Sequence, residues 1–144
     1  MSKQDYVNSQ LYRIRHSTAH IMAEAMLERF PDAQIAIGPP IEDGFYYDFG
    51  LSQAPTEEDL KWVEDRMKAI IRGGYDFNVK EVTPDEALKF FKNQKYKVEL
   101  INDLVNGRVD ENGNEIASPA EKMTFYTQDT FTDLCRGPHV QNTK

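Results

Sequence analysis

The sequence predicts an α+β fold, an antiparallel sheet packed around a central helix that carries the motif HxxxH. Three observations predict it. Residues 11–30, LYRIRHSTAHIMAEAMLERF, contain neither proline nor glycine and are rich in strong helix formers. Two short runs further on, Ile35/Ile37 and Phe45/Tyr47/Phe49, alternate as antiparallel strands do. Helical segments with clear start and stop signals are then inserted between strand-like runs.

The first helix organises the rest. At about 100° per residue, His16, His20, Ala23 and Leu27 share a narrow sector, with Leu11, Ile14, Ile21 and Ala25 nearly opposite. Arg13, Ser17, Glu24 and Glu28 form its one polar stripe. A helix apolar on two sides is expected to bury both, carrying two imidazoles inward. Pro31-Asp32 ends it, and residues 34–38 read as a strand. Pro39-Pro40 and Glu42-Asp43-Gly44 read as a turn-rich loop before an aromatic strand at 45–49.

Thr56 is placed to cap a second helix, with Glu57, Glu58 and Asp59 at its positive end and Gly73-Gly74 as the stop. Its apolar stripe is Leu60, Val63, Met67, Ile70 and Ile71. Residues 77–82 read as a strand. Thr83-Pro84-Asp85-Glu86 is a capping box with proline at the first helical position, opening a helix to about residue 92. Leu100, Ile101 and Leu104 favour helix over 96–105. Residues 106–122, with Gly107 and the Asn112-Gly113 turn, read as a long loop or hairpin, and 123–126 and 130–134 as two further strands.

With 144 residues, 28% charged and 40% hydrophobic, the chain is one ordinary globular domain spanning 1–144. No apolar run approaches the roughly 20 residues needed to cross a bilayer, and the N-terminus lacks an apolar export signal. The single cysteine, Cys135, permits no internal disulfide, in keeping with a cytoplasmic setting. The net charge is −7, and residues 41–60 hold six acids and no base. A self-sufficient nucleic-acid binder normally shows a basic surface, so any grip on a nucleic acid must come largely from elsewhere.

Every histidine and the only cysteine fall in two pairs of equal spacing, His16-x-x-x-His20 and Cys135-x-x-x-His139. Residues four apart on a helix are neighbours, so both imidazoles of the first pair can address one atom. The second pair encloses Gly137-Pro138 and must be a loop that doubles back. These ligand types suit a tetrahedral zinc site. They suit equally a metal-free site in which a histidine acts as general base on a held water. Ser17 stands where the zinc-protease motif HExxH has its glutamate, which excludes that chemistry. A third alternative is a non-catalytic structural or binding module in which these side chains only pack or clamp an ion.

RHSTAHIMAEA, AIGPPIEDGFYYDF, YKVEL and FTDLCRGPHV together resemble the editing domain of bacterial threonyl-tRNA synthetases, over about residues 11–140. The two spaced pairs alone would also suit the related alanyl-tRNA synthetase editing domains and their free-standing relatives. The segments GPPIEDGFYYDF and CRGPH are what resemble the threonyl branch. The resemblance implies hydrolysis of mischarged seryl-tRNA(Thr) to free serine and tRNA, with the tRNA acceptor end as partner. It implies that His16, His20, Cys135 and His139 line the pocket. His16 and Lys97 would handle water or the terminal ribose, and Asp133 would orient a histidine or the substrate ammonium. His139 and Cys135 would position substrate and water, and Arg136 would reach phosphate. Phe45, Tyr46 and Tyr47 are candidate platforms for the terminal adenine, set against ordinary strand packing.

Alanyl-type relatives hold zinc on the equivalent four residues, whereas the threonyl branch works without it. The expectation here is that no cofactor is required, with Zn2+ on His16, His20, Cys135 and His139 as the alternative. A zinc-dependent alanyl-type trans-editing deacylase is the corresponding alternative function. The chain has no room for an aminoacylation core or an anticodon-binding domain. It is therefore expected to be a fragment whose partner is the remainder of a synthetase, with no membrane involved.

Overall fold

Ser9 starts the first helix: its hydroxyl accepts the Tyr12 N–H at 3.1 Å, capping α1 (Gln10–Arg29). The computed structural model describes residues 9–38, 40, 41, 43–106, 122–135 and 137–144. The sequence-based expectations for Pro39, Glu42, Arg136 and most of the 106–122 loop lie outside the described residues. Among the described residues there are four helices and seven short strands, all paired antiparallel, an α+β architecture.

The two sides of α1 enter different cores. Ala19 and Ala23 pack with Phe125, Phe131, Leu134, Leu100 and Ile101. Ile21, Ala25 and Met26 meet Val63 and Ile70 of helix α2 (Glu57–Gly73). Burying one such aliphatic side chain contributes about 1.5–3 kcal/mol. The helical wheel was wrong at four positions. Leu11 and Ile14 are exposed, because no element among the described residues covers the first turns on that side, while Ser17 and Glu24 of the polar stripe are each only 2% exposed. Ser17 lies under the chain that follows the last strand, and Glu24 under Gln128 of β6 (Met123–Gln128).

The expected single sheet is resolved into three. β1 (Gln34–Ile35) pairs with β4 (Phe49–Gly50), and β2 (Pro40–Ile41) with β3 (Gly44–Phe45). The aromatic run 45–49 is thus two strands rather than one. Between them, Ala36 N–H donates to Asp48 O at 3.0 Å and Asp48 N–H to Ile37 O at 2.8 Å, which continues the β1–β4 ladder. Gly38 closes it: a Cβ there would lie 2.3 Å from Tyr47 Cδ2, so the Tyr47 ring turns inward where only glycine leaves room.

α2 has the expected ends. Thr56 and Asp59 form a capping box, and Gly74 takes a left-handed φ of 65°. Its apolar stripe is narrower than expected, since Val63 and Ile70 are buried whereas Leu60 is 55% and Ile71 37% exposed. β5 (Asn78–Val82) leads through the Thr83–Glu86 capping box into α3 (Pro84–Phe90) and then α4 (Lys95–Val105). The third sheet, ordered β5-β6-β7, is completed by β7 (Phe131–Leu134) after a tight turn in which Asp129 has a φ of 49°. This sheet carries the end of β7, and with it Asp133, onto the histidine side of α1.

Candidate functional site

Four side chains converge between α1 and the segment after β7. One donor atom each from His16, His20, Cys135 and His139 lies within 4.8 Å of the others, and all four residues are buried. α1 supplies the first two because residues four apart sit one above the other on its inner face. The other two come from a loop fixed at its start by Cys135 N–H, which donates to Thr124 O at 3.1 Å. Gly137 turns it with a φ of 76°, where a Cβ would meet Tyr126 Oη at 2.4 Å. Cys135 Sγ and His139 Nε2 are 3.2 Å apart.

Each imidazole is held on its other side. His16 Nδ1–H donates to the Pro138 carbonyl at 3.2 Å, which leaves Nε2 as the unprotonated nitrogen of a neutral ring. His139 Nδ1 is 2.9 Å from Ser17 Oγ. Its ring stacks on His16 at 4.0 Å and on Phe77 at 4.9 Å. His20 Nε2 lies 3.5 Å from Asp133 Oδ2, and its Nδ1 is buried without a hydrogen-bond partner.

Burial keeps all three rings uncharged at neutral pH. It lowers His16 from 6.5 to about 4, the Pro138 carbonyl and Asp133 only partly offsetting it. It drives His20 well below its usual value, aided by His16 and Lys97, and His139 likewise, aided by His20 and His16. Neutral imidazoles have a lone pair to offer a proton or a metal ion.

Beside them sits a buried ion pair. Lys97, a surface lysine on one reading of the sequence, is 1% exposed, with Nζ 2.6 Å from Asp133 Oδ1. The Leu134 N–H donates to the same oxygen at 2.7 Å, and Tyr47 Oη donates to Oδ2 at 2.5 Å. Such saturation holds a buried carboxylate and aims it at His20. Tyr47 is therefore a buried anchor of Asp133 and not a platform for a base. Phe45 and Tyr46 are exposed, so they alone of the three retain a free face. Arg136 lies outside the described residues.

Of the sequence candidates, His16, His20, Lys97, Asp133, Cys135 and His139 are brought together. The sequence reading missed the Ser17 hydroxyl, the Pro138 carbonyl and the Phe77 ring, all of which hold histidines. Nothing in their spacing marks them. Three imidazoles and a cysteine sulfur, with one buried nitrogen unpartnered, are a donor set that fits zinc. His16 also donates its second ring nitrogen to a backbone oxygen, as metal-bound histidines usually do.

Comparison with known proteins gives the class first. Residues 123–144 match the family described as "Threonyl and Alanyl tRNA synthetase second additional domain", a span that includes Cys135 and His139. Threonine–tRNA ligase of Dehalococcoides mccartyi is 46% identical over 135 residues, covering 94% of this chain and 21% of that protein. The threonine–tRNA ligase of Borreliella burgdorferi is 43% identical over 144 residues, 99% of this chain and 22% of that protein. That of Borrelia turicatae is 43% identical over 132 residues, 92% of this chain and 20% of that protein. By sequence the chain is therefore a relative of the threonyl-tRNA synthetases, corresponding to one region of them. It spans about a fifth of the length of the curated relatives it matches. No helix among the described residues is long and apolar enough to cross a membrane.

Proposed function

We propose that the chain is a single editing domain that hydrolyses the ester of seryl-tRNA(Thr). The observation that carries this reading is the convergence of His16, His20, Cys135 and His139 beside the buried Lys97–Asp133 pair. It occurs in a relative of synthetases whose amino acid differs from serine by one methyl group. Losing a methyl costs a binding pocket only about 1–3 kcal/mol, so a threonine site needs a second, hydrolytic sieve.

A water oxygen attacks the ester carbonyl carbon and gives a proton to the free Nε2 of His16. The carbonyl oxygen becomes an oxyanion, the bond to the ribose oxygen breaks, and that oxygen takes up the proton as serine leaves. Lys97 handles water or the terminal ribose with the ammonium hydrogens that Asp133 leaves free. Asp133 orients His20, while His139 and Cys135 position substrate and water. The exposed Phe45 and Tyr46 offer stacking faces to the acceptor end. With a net charge of −7, most tRNA affinity comes from the rest of a synthetase.

The test is deacylation of seryl-tRNA(Thr) beside threonyl-tRNA(Thr), with and without chelator, repeated on a minimal acceptor-end analogue. Loss of serine alone, indifferent to chelator, is expected. Failure to cleave either substrate or the analogue rules the reading out. The donor set supports a second reading, an alanyl-type deacylase with zinc on His16, His20, Cys135 and His139. The ion would acidify a bound water. Activity lost to chelator and restored by zinc would favour it.

A further inference from the structure

The hydroxyl between the two helical histidines has a task that the HxxxH motif does not reveal. Ser17 Oγ has two partners: it lies 2.9 Å from His139 Nδ1 and accepts the Val140 N–H at 3.0 Å. A hydroxyl has one hydrogen to give and two lone pairs to fill. The Val140 N–H takes one lone pair, and among the described residues His139 Nδ1 is the one hydrogen-bond partner able to receive the hydrogen. The opposite arrangement, with Nδ1–H donating to Ser17, would leave the buried Ser17 hydrogen without an acceptor among the described residues, which is costly. An imidazole whose Nδ1 accepts carries its one ring hydrogen on Nε2, which faces Cys135 Sγ at 3.2 Å.

We propose that Ser17 is a positioning residue that fixes the tautomer of His139, keeping its Nε2 protonated and so opposing metal binding by the four-residue cluster. A metal needs a lone pair on the nitrogen it binds, and Nδ1 is engaged by Ser17, which leaves Nε2 as the only ligand atom. With Ser17 as donor, Nε2 presents a hydrogen. The cluster then offers the acceptor Nε2 of His16, the unpartnered Nδ1 of His20 and the donor Nε2–H of His139. That mixture of donors and acceptors suits a held water better than an ion. The packing of the His139 ring between His16 and Phe77 keeps it from turning over to exchange its nitrogens.

This inference rests on the geometry of the cluster and stands whether or not the chain deacylates tRNA, so its test needs no substrate. Long-range proton–nitrogen NMR on histidine-labelled wild-type protein at neutral pH is expected to show His139 Nδ1 bare and Nε2 protonated. The reverse assignment overturns the proposal. The second arm is a zinc(II) titration against a chromophoric chelator. Ser17→Ala frees the ring to move its hydrogen to Nδ1, so zinc affinity is expected to rise. If Ser17 instead served as acceptor behind a metal ligand, Ser17→Ala would weaken zinc by about 10–100-fold. Weakened or unchanged affinity overturns the proposal. Ser17→Thr keeps the hydroxyl, and the ≈ 480 Å³ surface cavity that Ser17 lines with Ile14 and Val140 has room for the methyl, so wild-type affinity is expected to return.

Discussion

Around His20 and around Glu24, one helical turn apart on α1, the molecule buries polar groups in two different ways. Near His20, opposite charges answer each other: Lys97 and Asp133 pair at 2.6 Å, and Tyr47 and a backbone amide fill the carboxylate. Glu24 makes no ion pair among the described residues, and the nearby Arg66 pairs with Glu28 and Asp129 instead. Gln128 Nε2 donates to Glu24 Oε1 at 3.3 Å and to the His20 carbonyl at 3.2 Å, leaving Glu24 Oε2 and Gln128 Oε1 unpartnered. Burial, then Asp129 and Glu28, push the Glu24 carboxyl up to about 8. The first cluster meets the cost of burial with a counter-charge and the second with a proton. Only the first keeps fixed charge beside lone pairs, which is what chemistry needs.

Three substitutions sharpen or break that contrast. The largest effect is expected on rate: His16→Ala should slow deacylation of seryl-tRNA(Thr) by about 10²–10⁴-fold while the melting temperature barely moves. Wild-type activity should also hold as the pH falls through 6.5 and decline only near 4, where His16 takes up a proton. A single-turnover pH profile with its acid limb at 6.5 would remove His16 from the role of base. Next comes Lys97→Met, which strands the Asp133 charge and should cost about 3–5 kcal/mol in a denaturant titration. A loss under 1 kcal/mol would mean that Asp133 is not held as described.

The third lies in the other cluster. The Glu24 proton leaves at about 8 in the folded chain and near 4.5 in the unfolded one. The folded state thus binds it more tightly, and this contribution is full below 4.5 and lost as pH rises through 8. Glu24→Gln should flatten the fall in melting temperature between those limits and raise stability at pH 8. An unchanged pH slope would dismiss Glu24 as its source.

Local signals were the legible ones. The N-cap at Thr56, the capping box at Thr83, the stop at Gly74 and the pairing of HxxxH with CxxxH depend on neighbours in sequence, and each is found in the structure. What tertiary packing decides was not legible. Ser17 and Glu24 read as polar because a helical wheel cannot know what covers a residue. Leu60 read as part of the buried stripe although it is 55% exposed. Lys97 was open because a buried lysine declares itself only through its partner, Asp133, which is distant in sequence. Tyr47 was offered as a stacking platform because strand alternation does not show that its hydroxyl meets a carboxylate.

The loop bearing Cys135 and His139 is tied down at both feet. Cys135 N–H is bound to Thr124 O, while Phe77 N–H donates to Gln141 O and Thr143 N–H to Tyr75 O, each within 3.1 Å. Thr143 Oγ1 adds a hydrogen bond to Ile70 O at 2.9 Å. A segment pinned like this resembles a keystone more than a hinge. Its shape is set when the sheet and α2 come together, so a ligand meets a finished surface. Little ordering is left for the ligand to induce, and selectivity must come from what fits.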